Sequence, residues 1–458
     1  MRAAFVLLFS IIGLGGALAS RHLGLLFYVW FTLFRPIEYS YLALYPLRLP
    51  LVSGILLLVP SMFTGKFPNI THPLTAMSWL IWVCVIVAQL TTPVIYLGFA
   101  ARYNYVPTWE YVDQFTRLLL VSTLAVTLLD TKDKMRQYVA IMAASLGFYS
   151  AKGGLAAILA GGLQYAEGID AFPDNNDYAL AVNMAIPLMA AAAVTLKAPL
   201  PGLKHIRKAF FIAIPLSVIT IIATNSRGGL VALTALALVA ALLQERRFTW
   251  LGGIVLSAVL LYNFAPMPEG YIDRISTINK VEETNETSAL GRLHFWHVAR
   301  IMAANNPLGV GLRYFNLAYD EYDDMNGAHG VARAVHSSHF QVLAELGYLG
   351  MALWIGLFGY AVTVCLRIRF AAAKLAGLSD EDRHFYMTMA TAFVASMLAF
   401  LVGGAFLAAA FNDLTWLTFG GVAALQRLFR ADQQSLRPPV IADRAAPVIP
   451  RPRRQAIA

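Results

Sequence analysis

An all-α integral membrane bundle of about twelve transmembrane helices is the fold this sequence predicts, from its composition, its hydropathy and the placement of its basic residues. Hydrophobic residues fill 58% of the 458 positions and charged residues only 13%, against about 25% charged in a soluble domain. Mean hydropathy is +0.61, which excludes a soluble globule. Apolar stretches near the roughly 20 residues that span a bilayer recur from position 3 to 429.

Taken along the chain, the expected spans are 49–63, 74–98, 114–131, 137–163, 178–196, 209–224, 228–243, 250–264, 347–366, 386–411 and 413–429. With a cytoplasmic tail they alternate so that the basic clusters at 132–136, 197–208, 245–247 and 367–374 and after Arg427 all fall inside, as the resistance of Lys and Arg to translocation requires. Two short apolar runs broken at Arg21-His22 precede them; parity makes these cross once in net if the N-terminus is cytoplasmic. The run at 3–19 resembles a signal peptide, but the apolar segments that follow at once favour a retained helix. Segments 209–224 and 250–264 are short enough to imply tilt or local thinning, and Asn412-Asp413 sets the start of 413–429 partly in the interface.

The chain therefore divides into N-terminal transmembrane helices at 1–264, a large outer loop at 265–340 between the tenth and eleventh spans, C-terminal transmembrane helices at 341–429, and a disordered basic cytoplasmic tail at 430–458. Short helices are expected in the loop at 271–281 and 288–305, the second stopped by Asn306-Pro307-Leu308-Gly309-Val310-Gly311. The net charge of +9 would raise nucleic-acid binding in a soluble protein. Here it reads as topology and as attraction of the tail to anionic lipid headgroups, so the bilayer is a partner and nucleic acid is not. Cys84 and Cys365 lie in apolar segments and read as small apolar fillers.

Ionisable residues at membrane depth are costly and default to functional hypotheses. Arg227, in Thr224-Asn225-Ser226-Arg227-Gly228-Gly229, follows one span and opens the next; the glycines allow a sharp turn and leave room beside a guanidinium that faces a phosphate or snorkels to the headgroups. Arg292 lies near the start of the 288–305 helix, where the positive end of the helix dipole disfavours a cation unless an anion sits between. Arginine forks bind phosphate bidentately, so this pair suits a pyrophosphate. His336, where the loop re-enters the membrane, can accept a hydroxyl proton as a neutral imidazole or can simply be a hydrogen-bonder. Asp174 and Asp177 in Pro173-Asp174-Asn175-Asn176-Asp177 either orient a histidine or sugar hydroxyl or cap the following helix. Lys152 is a lone charge in an apolar span that meets the same anion or reaches the interface.

A catalytic metal fits poorly. In 320–327 the calcium-loop register puts Tyr322 and Arg333 at ligand positions, so that signature fails. His336, His339 and His329 have no Cys or carboxylate evident in sequence to complete a zinc set. Neither a metal nor a cofactor is expected.

The run His336-Ser337, nine residues, Gly347, two residues, Gly350 resembles the signature of the bacterial O-antigen ligases and their relatives. Ser226-Arg227-Gly228-Gly229, Gly291-Arg292 with Trp296, the 306–311 turn and the large outer loop are similar to that superfamily too, over about residues 70–430. The resemblance implies a GT-C-like glycosyltransferase of the inner membrane with its site facing the periplasm. It would move a glycan from undecaprenyl pyrophosphate to a sugar of lipid A-core without metal, by inverting displacement. The family histidine falls on His336, its arginines on Arg227 and Arg292, with Lys152 and Arg313 as further candidates for the carrier and His339 as a decoy. An O-antigen polymerase, a protein O-oligosaccharyltransferase and a lipid-linked glycan transporter are the alternatives.

Overall fold

The computed structural model describes residues 2–37, 44–92, 108–160, 174–197, 205–244, 246–264 and 287–436. The helix expected at 271–281, most of the basic tail and part of the outer loop lie outside the described residues. Every described regular element is helical. In chain order the α-helices are α1 (Arg2–Ala19), α2 (Arg21–Phe34), α3 (Leu49–Phe63), α4 (Pro73–Thr91), α5 (Thr108–Leu128), α6 (Lys132–Leu159), α7 (Asn175–Thr195) and α8 (Ile206–Ala223). They continue with α9 (Arg227–Leu242), α10 (Arg247–Phe264), α11 (Thr287–Asn305), α12 (Phe315–Tyr322), α13 (Ser338–Lys374), α14 (Asp380–Gly403) and α15 (Asp413–Ser435).

Six of these, α4, α6, α7, α8, α13 and α14, are long and apolar enough to cross a membrane. Shorter apolar helices stand beside them at Val6–Ala19, Leu49–Phe63, Arg227–Leu242 and Arg247–Leu256. The expected segments 114–131 and 413–429 do form helices, α5 and α15, but each carries several charges within its length, among them Asp113 and Arg117 in one and Arg427 and Asp432 in the other. Within the bundle α15 is packed inside: Trp416, Leu417 and Val422 are buried completely.

Gly13 lies against the Phe27 ring and Gly16 opposite Leu23, so α1 and α2 pack on each other as an antiparallel hairpin. Ser20, in extended conformation, is the whole of the break between them.

At the centre stands α7, packed on α6, α8, α9 and α14. Ala181, Ala185 and Ala192 of this helix are fully or almost fully buried and let neighbouring backbones approach closely. Several of the helices open on a side chain that accepts one of the free N–H groups of the first turn. Thr131 caps α6, Asp174 caps α7, Ser226 caps α9, Ser337 caps α13, Ser379 caps α14 and Asn412 caps α15.

In α13 the helix breaks at Gly347, whose φ of 67° and ψ of −166° are open to glycine alone. The 307–311 turn runs against this break. Val310 N–H donates to Ala344 O at 3.0 Å, Gly311 N–H to Glu345 O at 3.1 Å and Tyr348 N–H to Pro307 O at 3.2 Å. A methyl at Gly309 would run into the Glu345 carbonyl, and one at Gly347 into the Pro307 carbonyl. Both glycines thus serve one backbone-to-backbone contact, which fixes α11 and α12 over the start of α13.

Candidate active site

The starts of α7, α9 and α13 meet at one end of the bundle. Asn175 Nδ2 donates to Thr224 O at 2.8 Å, and Ser226 Oγ donates to Asn176 Oδ1 at 2.7 Å while accepting from Gly229 N–H at 2.9 Å. The 174–177 segment and the turn before Arg227 are therefore one hydrogen-bonded unit. Asp174 is the helix cap that its sequence suggested, accepting from Asn176 N–H at 2.7 Å, and it also reaches His336 electrostatically.

Arg227 is the first residue of α9 and is half-buried. Its neighbouring glycines are closely packed, not flanked by the open room that the sequence suggested. Gly228 packs on Phe406 and Gly229 on Ala179, where a Cβ would come within 2.6 Å of the alanine methyl. The sharp turn itself is made by Asn225, at a φ of 54°. Space is filled here because α9 must approach α7 closely enough for Asn183 Nδ2 to donate to Gly229 O at 3.0 Å.

His336 is half-buried and held at a φ of 45°, in the left-handed region, immediately before the cap of α13. Its ring faces that of Phe295 on α11, with centroids 6.0 Å apart. Burial first, then the Arg292 guanidinium and more weakly that of Arg333, push its pKa below the ordinary histidine value, against the carboxylate of Asp174. The imidazole is thus kept neutral, with a lone pair available, next to cations that repel its protonated form. Arg292, half-buried on α11, belongs to this cluster. Ser337 caps α13 through a 3.4 Å contact from Phe340 N–H.

His339, one turn further on, is engaged at both nitrogens. Trp354 Nε1 donates to its Nδ1 at 3.2 Å, so its Nε2 carries the proton given to Leu401 O at 2.9 Å. Both of its ring nitrogens are thus engaged within the protein.

Lys152 is exposed on α6 beside Gly153 and Gly154, which pack against Thr220 and Leu216 of α8. No described contact joins it to His336 or Arg292. Asp177 and Arg313 come together elsewhere, on a cavity of about 220 Å³ that Arg35, Gln341, Asn412 and Asp413 also line. Arg313, itself at a φ of 64°, lays its guanidinium over the Tyr111 ring at 4.7 Å, and Arg35 reaches Asp413 at 3.9 Å.

Sequence reasoning missed Arg35, Arg333, Asn175, Asn176 and Asp413. Arg35 carried a signal: it stands on the outer side of the expected topology, where an arginine is out of place. The asparagines sat inside a hexapeptide read mainly for its carboxylates.

These features define a helical membrane protein whose shared helix starts gather one neutral imidazole, several guanidinium groups and few carboxylates. Residues 212–355, from within α8 to the first half of α13, match the O-antigen ligase family model, and that match supports membership of the O-antigen ligase superfamily. The matched stretch contains Arg227, Arg292, Arg313 and His336, while Lys152, Asp174 and Asp177 precede it. Comparison with curated proteins gives no match.

Proposed function

We propose that the protein is a glycosyltransferase that takes a glycan from undecaprenyl pyrophosphate and joins it to a sugar hydroxyl of lipid A-core, as an O-antigen ligase. The observation that carries this reading is His336, kept neutral beside Arg292 and Asp174 within the stretch that matches the family. In the step, His336 removes the acceptor hydroxyl proton as that oxygen attacks the anomeric carbon. The bond from that carbon to the pyrophosphate oxygen breaks with inversion, and the electron pair leaves with pyrophosphate. A pyrophosphate leaves as a stable anion, so the demand is for charge stabilisation. Arg227 and Arg292 supply it, each such contact being worth about 3 kcal/mol. The step needs no metal or other cofactor.

The cavity that holds Asp177, Arg313 and Gln341 we assign to a sugar, since carboxylates and amides match hydroxyl groups and Arg313 is already paired with an aromatic face. Ser337 positions His336 by capping α13, and Lys152 acts at most on the carrier at the interface. In this reading the chain crosses the inner membrane about twelve times, the His336 end faces the periplasm, and the end carrying Lys132, Arg136 and Arg427 faces the cytoplasm.

The test offers purified protein an undecaprenyl-pyrophosphate-linked glycan with core lipid, carrier-linked glycan or a pilin-like protein as acceptor. Transfer to core lipid that falls at least about 100-fold in His336→Ala, with donor binding retained, is the expected result. Transfer to another acceptor alone would replace the ligase assignment with polymerase or protein transferase. Full transfer in His336→Ala would remove it as base.

A further inference from the structure

Between α11 and the turn after α12 lies a group of side chains that the transfer step does not use. His294 is 8% exposed, and its Nε2 lies 2.6 Å from Asp323 Oδ1. That carboxylate, 3% exposed, also accepts Met325 N–H at 3.0 Å and Gly327 N–H at 2.6 Å. With both carboxylate oxygens accepting backbone N–H groups, His294 Nε2 is the donor in its contact with Asp323 and Nδ1 is the nitrogen left for another ligand.

That Nδ1 faces Asp324 Oδ1 at 3.7 Å, too far for a hydrogen bond. Two ligands of a tetrahedral ion, each about 2.0–2.1 Å from the metal, stand about 3.4 Å apart. The other oxygen, Asp324 Oδ2, lies 2.9 Å from His297 Nε2, one turn along α11 from His294. The His329 ring stands 5.1 Å from that of His294. One ligand atom from each of His294, Asp323 and Asp324 falls within 4.8 Å of the others. Because one imidazole cannot give both nitrogens to the same ion, Asp323 is better placed as the outer carboxylate that orients a metal-binding histidine.

We propose that His294 Nδ1, His297 Nε2 and Asp324 bind a divalent transition-metal ion, with His329 as fourth ligand and Asp323 as the carboxylate behind His294. Imidazoles with one carboxylate in a tetrahedral arrangement select zinc over calcium or magnesium. The ion ties α11 to the 323–329 turn. Arg292 precedes His294 by two residues, Phe295 follows it and faces His336, and Arg333 Nε donates to His329 O at 2.6 Å. The metal therefore holds in place the helix that carries a proposed pyrophosphate ligand and stays out of the transfer chemistry. Its binding does not depend on the transferase reading.

The test uses the full-length protein in nanodiscs, with any affinity tag removed and the metal stripped by chelator. Titration with cobalt should give the visible absorption of a tetrahedral site at one ion per chain, displaced by zinc, with no response to calcium. Asp324→Asn and His297→Gln alter side chains that are 53% and 44% exposed, so the fold is kept, and each should weaken zinc at least about 10-fold. Asp323→Asn should weaken it about 10–100-fold while leaving the ligands in place. Absence of stoichiometric cobalt or zinc binding, or equal affinity in Asp324→Asn and His297→Gln, would overturn the proposal.

Discussion

At the end of the bundle where α6 and α14 begin, each cation that reaches into the fold meets an oxygen. Lys132 Nζ lies 2.7 Å from both Asp382 and Asp432, Arg136 reaches Glu381 at 2.9 Å, and Lys197 reaches the same carboxylate at 2.8 Å. Arg207 and Arg427 donate to the carbonyls of Ala193 and Val126, both at 2.7 Å. At the opposite end, two guanidinium groups act on His336 against the single carboxylate of Asp174. The first end is balanced within the protein and fixes helix termini. At the second, the positive field of these arginines lowers the pKa of His336, and in the proposed function it holds the pyrophosphate of the donor.

The largest expected effect tests whether that field is a pyrophosphate site. Arg227→Lys keeps the charge but loses the planar fork, so turnover should fall about 100-fold or more, the cost of one lost contact to developing charge. Wild-type turnover measured with the carrier-linked donor would break the assignment of the His336 end.

Gly347→Ala comes next. It demands a backbone conformation that costs on the order of 1–3 kcal/mol in other residues and drives a methyl toward the Pro307 carbonyl. A clear drop in thermal midpoint is expected, with loss of transfer because α11 and its Arg292 are no longer held over α13. An unchanged midpoint would detach the paired glycines from this role. The spacing of Gly347 and Gly350 was legible in the sequence as part of a family signature, but its purpose was not. That Gly347 answers Gly309, 38 positions earlier, is a fact of three-dimensional approach.

The same limit runs through the whole reading. Helices that begin on a polar cap and continue as apolar runs were legible, and α3 begins and ends with its apolar run, although its 15 residues fall short of the roughly 20 that cross a bilayer. The α1–α2 hairpin was not, since a chain reversal at Ser20 depends on glycine-to-aromatic packing rather than on a run of turn residues. In the site, His336, Arg227 and Arg292 stood out as costly charges. The hydrogen-bonded frame of Asn175, Asn176 and Ser226 did not, because uncharged polar groups at helix starts look like ordinary caps until their partners are known. The histidine–aspartate group around His294 was hidden for a different reason: its members come from α11 and from the turn after α12.

A smaller effect follows from the field itself. Since burial and Arg292 lower the pKa of His336, its base form persists to lower pH, and the acid limb of kcat/KM should lie below the ordinary histidine value of about 6.5. Removing a cation raises a histidine pKa and removing an anion lowers it. Arg333→Gln should therefore move the limb upward, and Asp174→Asn should move it down. Shifts in the reverse sense would show that another group carries the proton.

The smallest effect separates the two ends most directly. Lys132→Ala removes a cation whose side chain is 23% exposed and whose partners are 27% and 28% exposed, and partly solvated ion pairs contribute at most about 1 kcal/mol. The thermal midpoint should fall slightly and transfer should not change. Added inorganic pyrophosphate provides the contrast. A ligand that binds only the folded state raises the midpoint, so pyrophosphate should stabilise wild type and Lys132→Ala equally, because its site is at the other end. Arg227→Lys should lose most of that increment. If Lys132→Ala abolished it instead, the anion site would belong to the Lys132 end, and the carboxylates around Lys132 would have to be read as a gate rather than as internal balance.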